Sequence, residues 1–254
     1  MHFDAATLAE LLPYILVGFA AQLVDGALGM AFGVISSTLL IGFTGMHPRV
    51  ASASVHAVEV FTTGASGISH VLHKNVNWKL FRRIVIPGMI GGILGAWVLT
   101  RIPIGYARPI VLAYLSAIGL YLLWRGFRYA HKEKKPRIVE PLGLVGGFLD
   151  AAGGGGWGPI VTSNLLVQGA HPRKVIGTVN TAEFFLAVTI SATFLVTLGA
   201  EAFTKELAGL LIGGVAAAPL GGYAAKRIPA RGLLIMVGIV LTLTSAYGIY
   251  TAIA

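Results

Sequence analysis

Residues Val145–Lys174 read VGGFLDAAGGGGWGPIVTSNLLVQGAHPRK. Four consecutive glycines, Gly153 to Gly156, interrupt a run otherwise as apolar as a membrane helix, and Asp150 stands beside the break. Glycine disfavours a helix interior by about 1 kcal/mol relative to alanine. Backbone released from a helix at membrane depth is tolerated only where protein or a polar cavity satisfies its N–H and C=O groups. The stretch therefore predicts a hairpin of two short segments, 139–151 and 157–169, whose tip lies inside the protein. Segments of that length reach only about 20 Å, against a hydrocarbon core of about 30 Å. Unusually short spanning helices are the alternative.

The rest of the chain sets this hairpin in a membrane protein. Of its 254 residues, 56% are hydrophobic and 11% charged, and the mean hydropathy is +0.79. Soluble domains carry about 25% charged residues. The amino-terminal run has no basic lead-in of the signal-peptide kind, so the first apolar stretch is expected to be retained. With no cysteine, disulfides, thiol catalysis and cysteine-ligated metal are excluded. The +9 net charge sits in short loops between apolar runs, which argues for membrane topology rather than nucleic acid.

Ten apolar segments are legible, at 8–25, 27–45, 50–72, 80–100, 106–127, 139–151, 157–169, 175–198, 207–226 and 232–253. The third, fourth, fifth, eighth, ninth and tenth are long enough to span. The first two are broken by Gly26, Gly29 and Gly33 and read as a second hairpin, 8–45, matching 139–169. The match extends further. Asp25-Gly-Ala-Leu-Gly29 resembles Asp150-Ala-Ala-Gly-Gly154, and Phe32-Gly33 resembles Trp157-Gly158. His47-Pro48-Arg49 recurs as His171-Pro172-Arg173, Glu59 falls on Glu183, and His56 on Asn180. Arg101-Ile102-Pro103 recurs as Arg227-Ile228-Pro229. The expected architecture is all-α and polytopic: an N-terminal repeat, 1–130, a basic linker, 131–137, and a C-terminal repeat, 138–254. Each repeat has a glycine-broken hairpin plus three spanning helices.

Charge orients the repeats. The connection from Arg125 to Arg137 carries six basic residues and is expected to be cytoplasmic. Counting crossings outward places 15 of the 19 basic residues inside and leaves Arg49, Arg101, Arg108 and Lys205 outside. Each half then crosses an odd number of times, so the halves are inverted copies and both termini lie outside.

Inverted repeats with broken helices are the architecture of secondary transporters, which bind substrate near the midplane. N–H groups opened at Gly33-Val34 and Gly158-Pro159 would form an anion cradle aided by the helix dipole. Close helix packing is the other use of such glycines. The expected cradle comprises Gly153, Gly154, Gly155, Gly156, Gly158, Ser163 and Asn164 from one half, Gly26, Gly29, Gly33 and Ser37 from the other, with Asn180. Four acids lie in or beside the apolar segments: Asp25, Glu59, Asp150 and Glu183. Intramembrane acids mark ion or proton pathways. Asp25 and Asp150 can equally cap the helices that follow, and Glu59 and Glu183 can carry protons or cross-bond helices as neutral acids. Ser52, His56, Glu59 and Thr63 share one helix face by their spacing. His56 serves either coupling or packing.

The glycine-broken hairpins, the His-Pro-Arg turns and the Ile-Pro after a glycine-rich helix resemble the TauE/SafE family of sulfite and organosulfonate exporters. The resemblance covers almost the whole chain. It implies a multi-pass permease of a prokaryotic plasma (inner) membrane for small sulfur-containing anions such as sulfite, thiosulfate or sulfoacetate. One departure is Gly26-Ala-Leu-Gly29, where the second half has four glycines, so the two tips would contribute unequally. The expected function is alternating-access transport of such an anion. The expected partners are the anion, membrane lipid and a second copy in a homodimer, with no cofactor, metal or nucleic acid. A passive channel, a membrane enzyme and a cation carrier using the four acids are the rivals. The enzyme is disfavoured by the lack of any nucleophile–base or metal-ligand spacing.

Overall fold

The computed structural model describes residues 5–28, 30–128, 136–200, 206–227 and 230–253. Gly29, most of the linker at 131–137, Lys205 and Ile228-Pro229 lie outside the described residues. The described chain is helical throughout. In order it forms α1 (Ala5–Leu28), α2 (Phe32–Gly42), α3 (Pro48–Leu72), α4 (Trp78–Arg101), α5 (Ile104–Phe127) and α6 (Glu140–Gly153). A π-helical turn, Trp157–Thr162, then runs into α7 (Ser163–Val167), followed by α8 (Pro172–Leu198), α9 (Glu206–Arg227) and α10 (Ala230–Ile253).

Local chemistry explains where these helices begin and end. Pro48 and Pro172 occupy first positions, where a missing N–H is harmless. Asn77 caps α4 by accepting the N–H groups of Lys79 and Leu80 at 3.1 and 3.2 Å. The end of α6 is set by Gly154 in the left-handed region, φ 70°, with the Gly155 N–H returning to the Asp150 carbonyl at 2.8 Å.

Glycines bring helix backbones together. A β-carbon on Gly91 or Gly95 of α4 would strike the carbonyls of Leu144 or Phe148 in α6. One on Gly18 of α1 or Gly213 of α9 would strike the facing backbone of Leu210 or Ile15. Thus α1 lies along α9 as α4 lies along α6, while α3 packs on α8 and α5 on α10. Such small-residue seams are how helices associate where lipid removes the hydrophobic drive. Outward surfaces are apolar, as on α4, where Ile86, Ile90, Ile93, Leu94 and Trp97 are exposed. Among the described residues, Trp78–Arg101, Gly105–Phe127 and Lys174–Leu198 are both long and apolar enough to cross a membrane.

The two hairpins differ in a way the glycine pattern did not indicate. α6 has 14 residues, about 21 Å at 1.5 Å per residue. α1 runs unbroken for 24, about 36 Å, through both Gly18 and Gly26. Gly18 serves packing there, seating the helix against α9. The break comes only after Leu28.

Candidate functional site

The two hairpin tips meet. Gly33, near the start of α2, faces Gly155, and a β-carbon added to it would stand 3.0 Å from the Gly155 Cα and 3.0 Å from Glu59 Oε1. A β-carbon on Gly155 would collide with the Val34 N–H. The Ser37 hydroxyl donates to the Gly154 carbonyl, Gly158 lies against Met30, and Gly153 and Gly156 lie against Tyr114. The predicted cradle residues from the two halves are therefore neighbours. Gly29 lies outside the described residues, and of Gly26 only its place in α1 is described.

Each tip is closed by its own aspartate. The Asp150 carboxylate accepts the Trp157 N–H at 2.8 Å and also the Gly156 N–H. Seven residues separate acid and donor, and the same interval recurs where Asp25 accepts the Phe32 N–H at 3.2 Å and the Ala31 N–H. The helical turns begin at Phe32 and Trp157, one residue before the glycines named for the cradle, and capping carboxylates hold those first donors. The open first-turn N–H groups are those of Gly33, Val34 and Gly158, since Pro159 has none. Several hydroxyls around the tips lack partners: Ser36, Thr38, Ser54 and Thr162 are buried with no hydrogen bond from the side-chain oxygen.

The polar face of α3 lies against the end of α6. Ser52 donates to the Ala151 carbonyl at 2.8 Å. His56, fully buried, places Nδ1 2.8 Å from Glu59 Oε2 and 3.9 Å from Asp150 Oδ2, with Nε2 3.4 Å from the Asp150 carbonyl. Thr63 turns back to the Glu59 carbonyl at 2.5 Å. Glu59 also interacts electrostatically with Asp25, Asp150 and Glu183, and Glu183 with Asp25 and Asp150. Four acids far apart in sequence thus converge on one region. Among the described residues, His56 is the basic group paired with them. Two buried carboxyl groups, Glu59 and Asp150, and two half-buried ones, Asp25 and Glu183, around one imidazole leave charge that bound protons or a bound cation must offset.

The remaining predicted residues are placed differently. Asn164 donates to the Ile160 carbonyl one turn back at 2.7 Å, so its amide N–H serves its own helix. Asn180 does likewise to Ile176 at 3.1 Å, while its oxygen accepts from Ser66 at 3.4 Å. Ser163 is buried, with the Met30 sulfur, a weak acceptor, at 3.9 Å and the Tyr121 hydroxyl as its other neighbour. At the turn before α3, burial and the neighbouring Arg49 hold His47 below the usual histidine range.

Residues 14–248 match the family described as sulfite exporter TauE/SafE. The chain belongs to that family. It is also 42% identical over 247 residues to the probable membrane transporter protein YtnM of Bacillus subtilis strain 168, covering 93% of this chain and 82% of that protein. No solved structure matches. Family membership and that relative make this TauE/SafE chain a membrane transporter, and its apolar helices agree.

Sequence reasoning missed one side of the site in this TauE/SafE protein. Tyr114 of α5 donates its hydroxyl to the Gly155 carbonyl at 2.9 Å and packs its ring on Gly153. Tyr121, two turns on, interacts with Ser163 and Arg125. The available signal was the spacing of Tyr114, Tyr121 and Arg125, which puts all three on one helix face.

Proposed function

We propose that this transporter moves a small sulfur oxyanion, sulfite or a sulfonate, across a prokaryotic plasma membrane by alternating access between two inverted halves. The observation that carries the reading is the contact of the Gly33–Ser37 and Gly154–Gly155 tips beside the His56–Glu59–Asp150 cluster. The inverted arrangement is supported by the exchange of the α1–α9 and α4–α6 seams under a two-fold that maps hairpin on hairpin, and by the equal reach of the two capping aspartates. Orientation is supported by basic segments that meet at one end. Lys174 donates to the Lys74 carbonyl at 2.7 Å, and Arg83 pairs with Glu140 beside the linker. Both termini are then outside.

In this conformation the tips touch, which corresponds to a closed site. Opening would expose the N–H groups of Gly33, Val34 and Gly158 and the unpartnered hydroxyls of Ser36, Thr38 and Thr162. An anion entering there meets four carboxyl groups, so its binding is favourable only when protons accompany it. That is the physical basis for proton coupling through Glu59 and His56, with Glu183 as the counterpart lacking an imidazole. The acid cluster also favours a second reading, a cation carrier whose ion would sit at the carboxyl oxygens.

The test uses the purified chain in proteoliposomes with sulfite, thiosulfate, sulfate and sulfoacetate. Saturable flux of one of these anions, dependent on a pH gradient, is expected. Flux without saturation would replace the carrier by a channel, and sodium-dependent binding with no anion bound would favour the cation reading. Glu59→Gln should flatten the pH profile of flux more than Glu183→Gln does. Unchanged profiles in both and in the double variant would exclude proton carriage by these acids.

A further inference from the structure

α5 carries a polar face that extends beyond the hairpin tips. Tyr114, Ile118, Tyr121 and Arg125 follow one another by four, three and four residues, the spacing of a single helix face. The face begins at the tips, where the Tyr114 hydroxyl holds the Gly155 carbonyl. Tyr121 then meets the Ser163 hydroxyl at the start of α7, which also has the Met30 sulfur, a weak acceptor, at 3.9 Å. One further turn brings Arg125. Its side chain is only 8% exposed, and its Nε is buried with no hydrogen-bond partner.

Among the described residues, ion pairs join His56 to Glu59 and Asp150 and Arg83 to Glu140, and none includes Arg125. A buried guanidinium N–H without an acceptor is costly. The planar fork of arginine matches the oxygens of a small oxyanion better than a lysine ammonium does. Eleven residues of helix separate Tyr114 from Arg125, about 16 Å, so this arginine cannot serve an anion lodged at the tips.

We propose that Arg125, with the hydroxyls of Tyr121 and Ser163, forms a second anion site at the far end of α5, taking a small oxyanion on its way to or from the tips. This rests on the oxyanion reading above. Its position beside the basic connection makes it the cytoplasmic station of the route. The guanidinium supplies charge and two parallel donors. The hydroxyls supply donors that rotate away as the anion moves on.

Equilibrium binding of sulfite to the purified full-length chain tests it. Arg125→Gln should weaken sulfite binding at this second site at least tenfold, leaving the tip site, and so reduce the bound stoichiometry and the rise in melting temperature that sulfite gives the wild type. Arg125→Lys should recover only part of the affinity, because charge returns without the fork. Arg128→Gln, at an exposed arginine three residues on, should bind as the wild type does. Should Arg125→Gln melt early, the lysine variant carries the comparison. Wild-type affinity in Arg125→Gln, or in Arg125→Lys where only that variant is stable, overturns the proposal; so does an equal loss in Arg128→Gln. A wild-type chain that binds none of sulfite, thiosulfate, sulfate and sulfoacetate instead overturns the transport reading, before any variant is compared.

Discussion

The two hairpin tips are built to one plan and finished differently. In both, an aspartate in the last turn of one helix reaches seven residues forward to the first N–H of the next. The second tip adds three holds. His56 approaches Asp150, Ser52 binds the Ala151 carbonyl, and Tyr114 binds the Gly155 carbonyl. The first tip follows a helix ten residues longer than α6, seated along α9. The second half also continues as a π-helical turn where the first continues as regular α2. Such π segments concentrate at functional sites. One tip is held by its length of packed helix, the other by side chains that can let go. The second is the better candidate for the moving part.

The largest expected effect breaks the contact from the second side. Gly155→Ala puts a methyl group onto the Val34 backbone and forces alanine to φ 147°. A loss of about 3 kcal/mol or more is expected, seen as a melting temperature lowered by roughly ten degrees, together with loss of the sulfite site at the tips. Gly33→Ala meets the same contact from the first side without a positive φ, and its nearest neighbours stand at 3.0 Å. It should fall well short of that loss. Equal losses would mean that the tips are rigid alike.

Next comes the pair of aspartates. Asp150→Asn keeps an oxygen for the Trp157 N–H but removes the carboxylate that His56 faces. Their atoms stand 3.9 Å apart, so the loss should be about 1–3 kcal/mol. Asp25→Asn disturbs no histidine, so its melting temperature should fall less, and flux should survive better. If Asp25→Asn proves the more damaging, the first tip is the critical one.

Much of this was legible in the sequence because it repeats. The ten segments, the Asp–glycine breaks and the Ser52–His56–Glu59–Thr63 face all follow from spacing, and spacing survives without a structure. The length of α1 did not follow, because glycines that break a helix and glycines that seat one on α9 look alike in sequence. The convergence of Asp25, Glu59, Asp150 and Glu183 needs the third dimension, since the repeat pairs them without saying that the pairs meet. Tyr114 escaped for a different reason. The repeat marks residues present in both halves, and the corresponding stretch of α10 has Ile239 and Val240. A residue that distinguishes the halves is invisible to a search for what they share.

That residue supplies a smaller test. Tyr114→Phe removes one hydrogen bond to the Gly155 carbonyl and keeps the ring against Gly153. The net contribution of such a bond is about 1 kcal/mol, so the melting temperature should fall by roughly three degrees. If the second tip is the moving part, turnover should change more than sulfite affinity does. A change in affinity alone would make Tyr114 part of the anion site.

The smallest effect should be a gain, and it lies in the first tip. Ala31, the residue before α2, has φ 142° and ψ −4°, and the position that matches it in the repeat is Gly156, with φ 158°. The backbone there is glycine's in both halves, yet the first half holds it with alanine. Strain of this kind amounts to about 1–3 kcal/mol. Glycine would relieve it, at the expense of about 0.5–1 kcal/mol of extra freedom in the unfolded chain and of the buried methyl, about 0.8 kcal/mol. Ala31→Gly should therefore leave the protein slightly more stable, by about 0.5 kcal/mol, with a melting temperature one or two degrees higher. A lower melting temperature would show that the methyl group fills the tip against its neighbours, and that the first tip is fixed by packing at the break as well as by the length of α1. A higher one accompanied by slower flux would mean that the strain is used, holding the first tip rigid while the second opens against it.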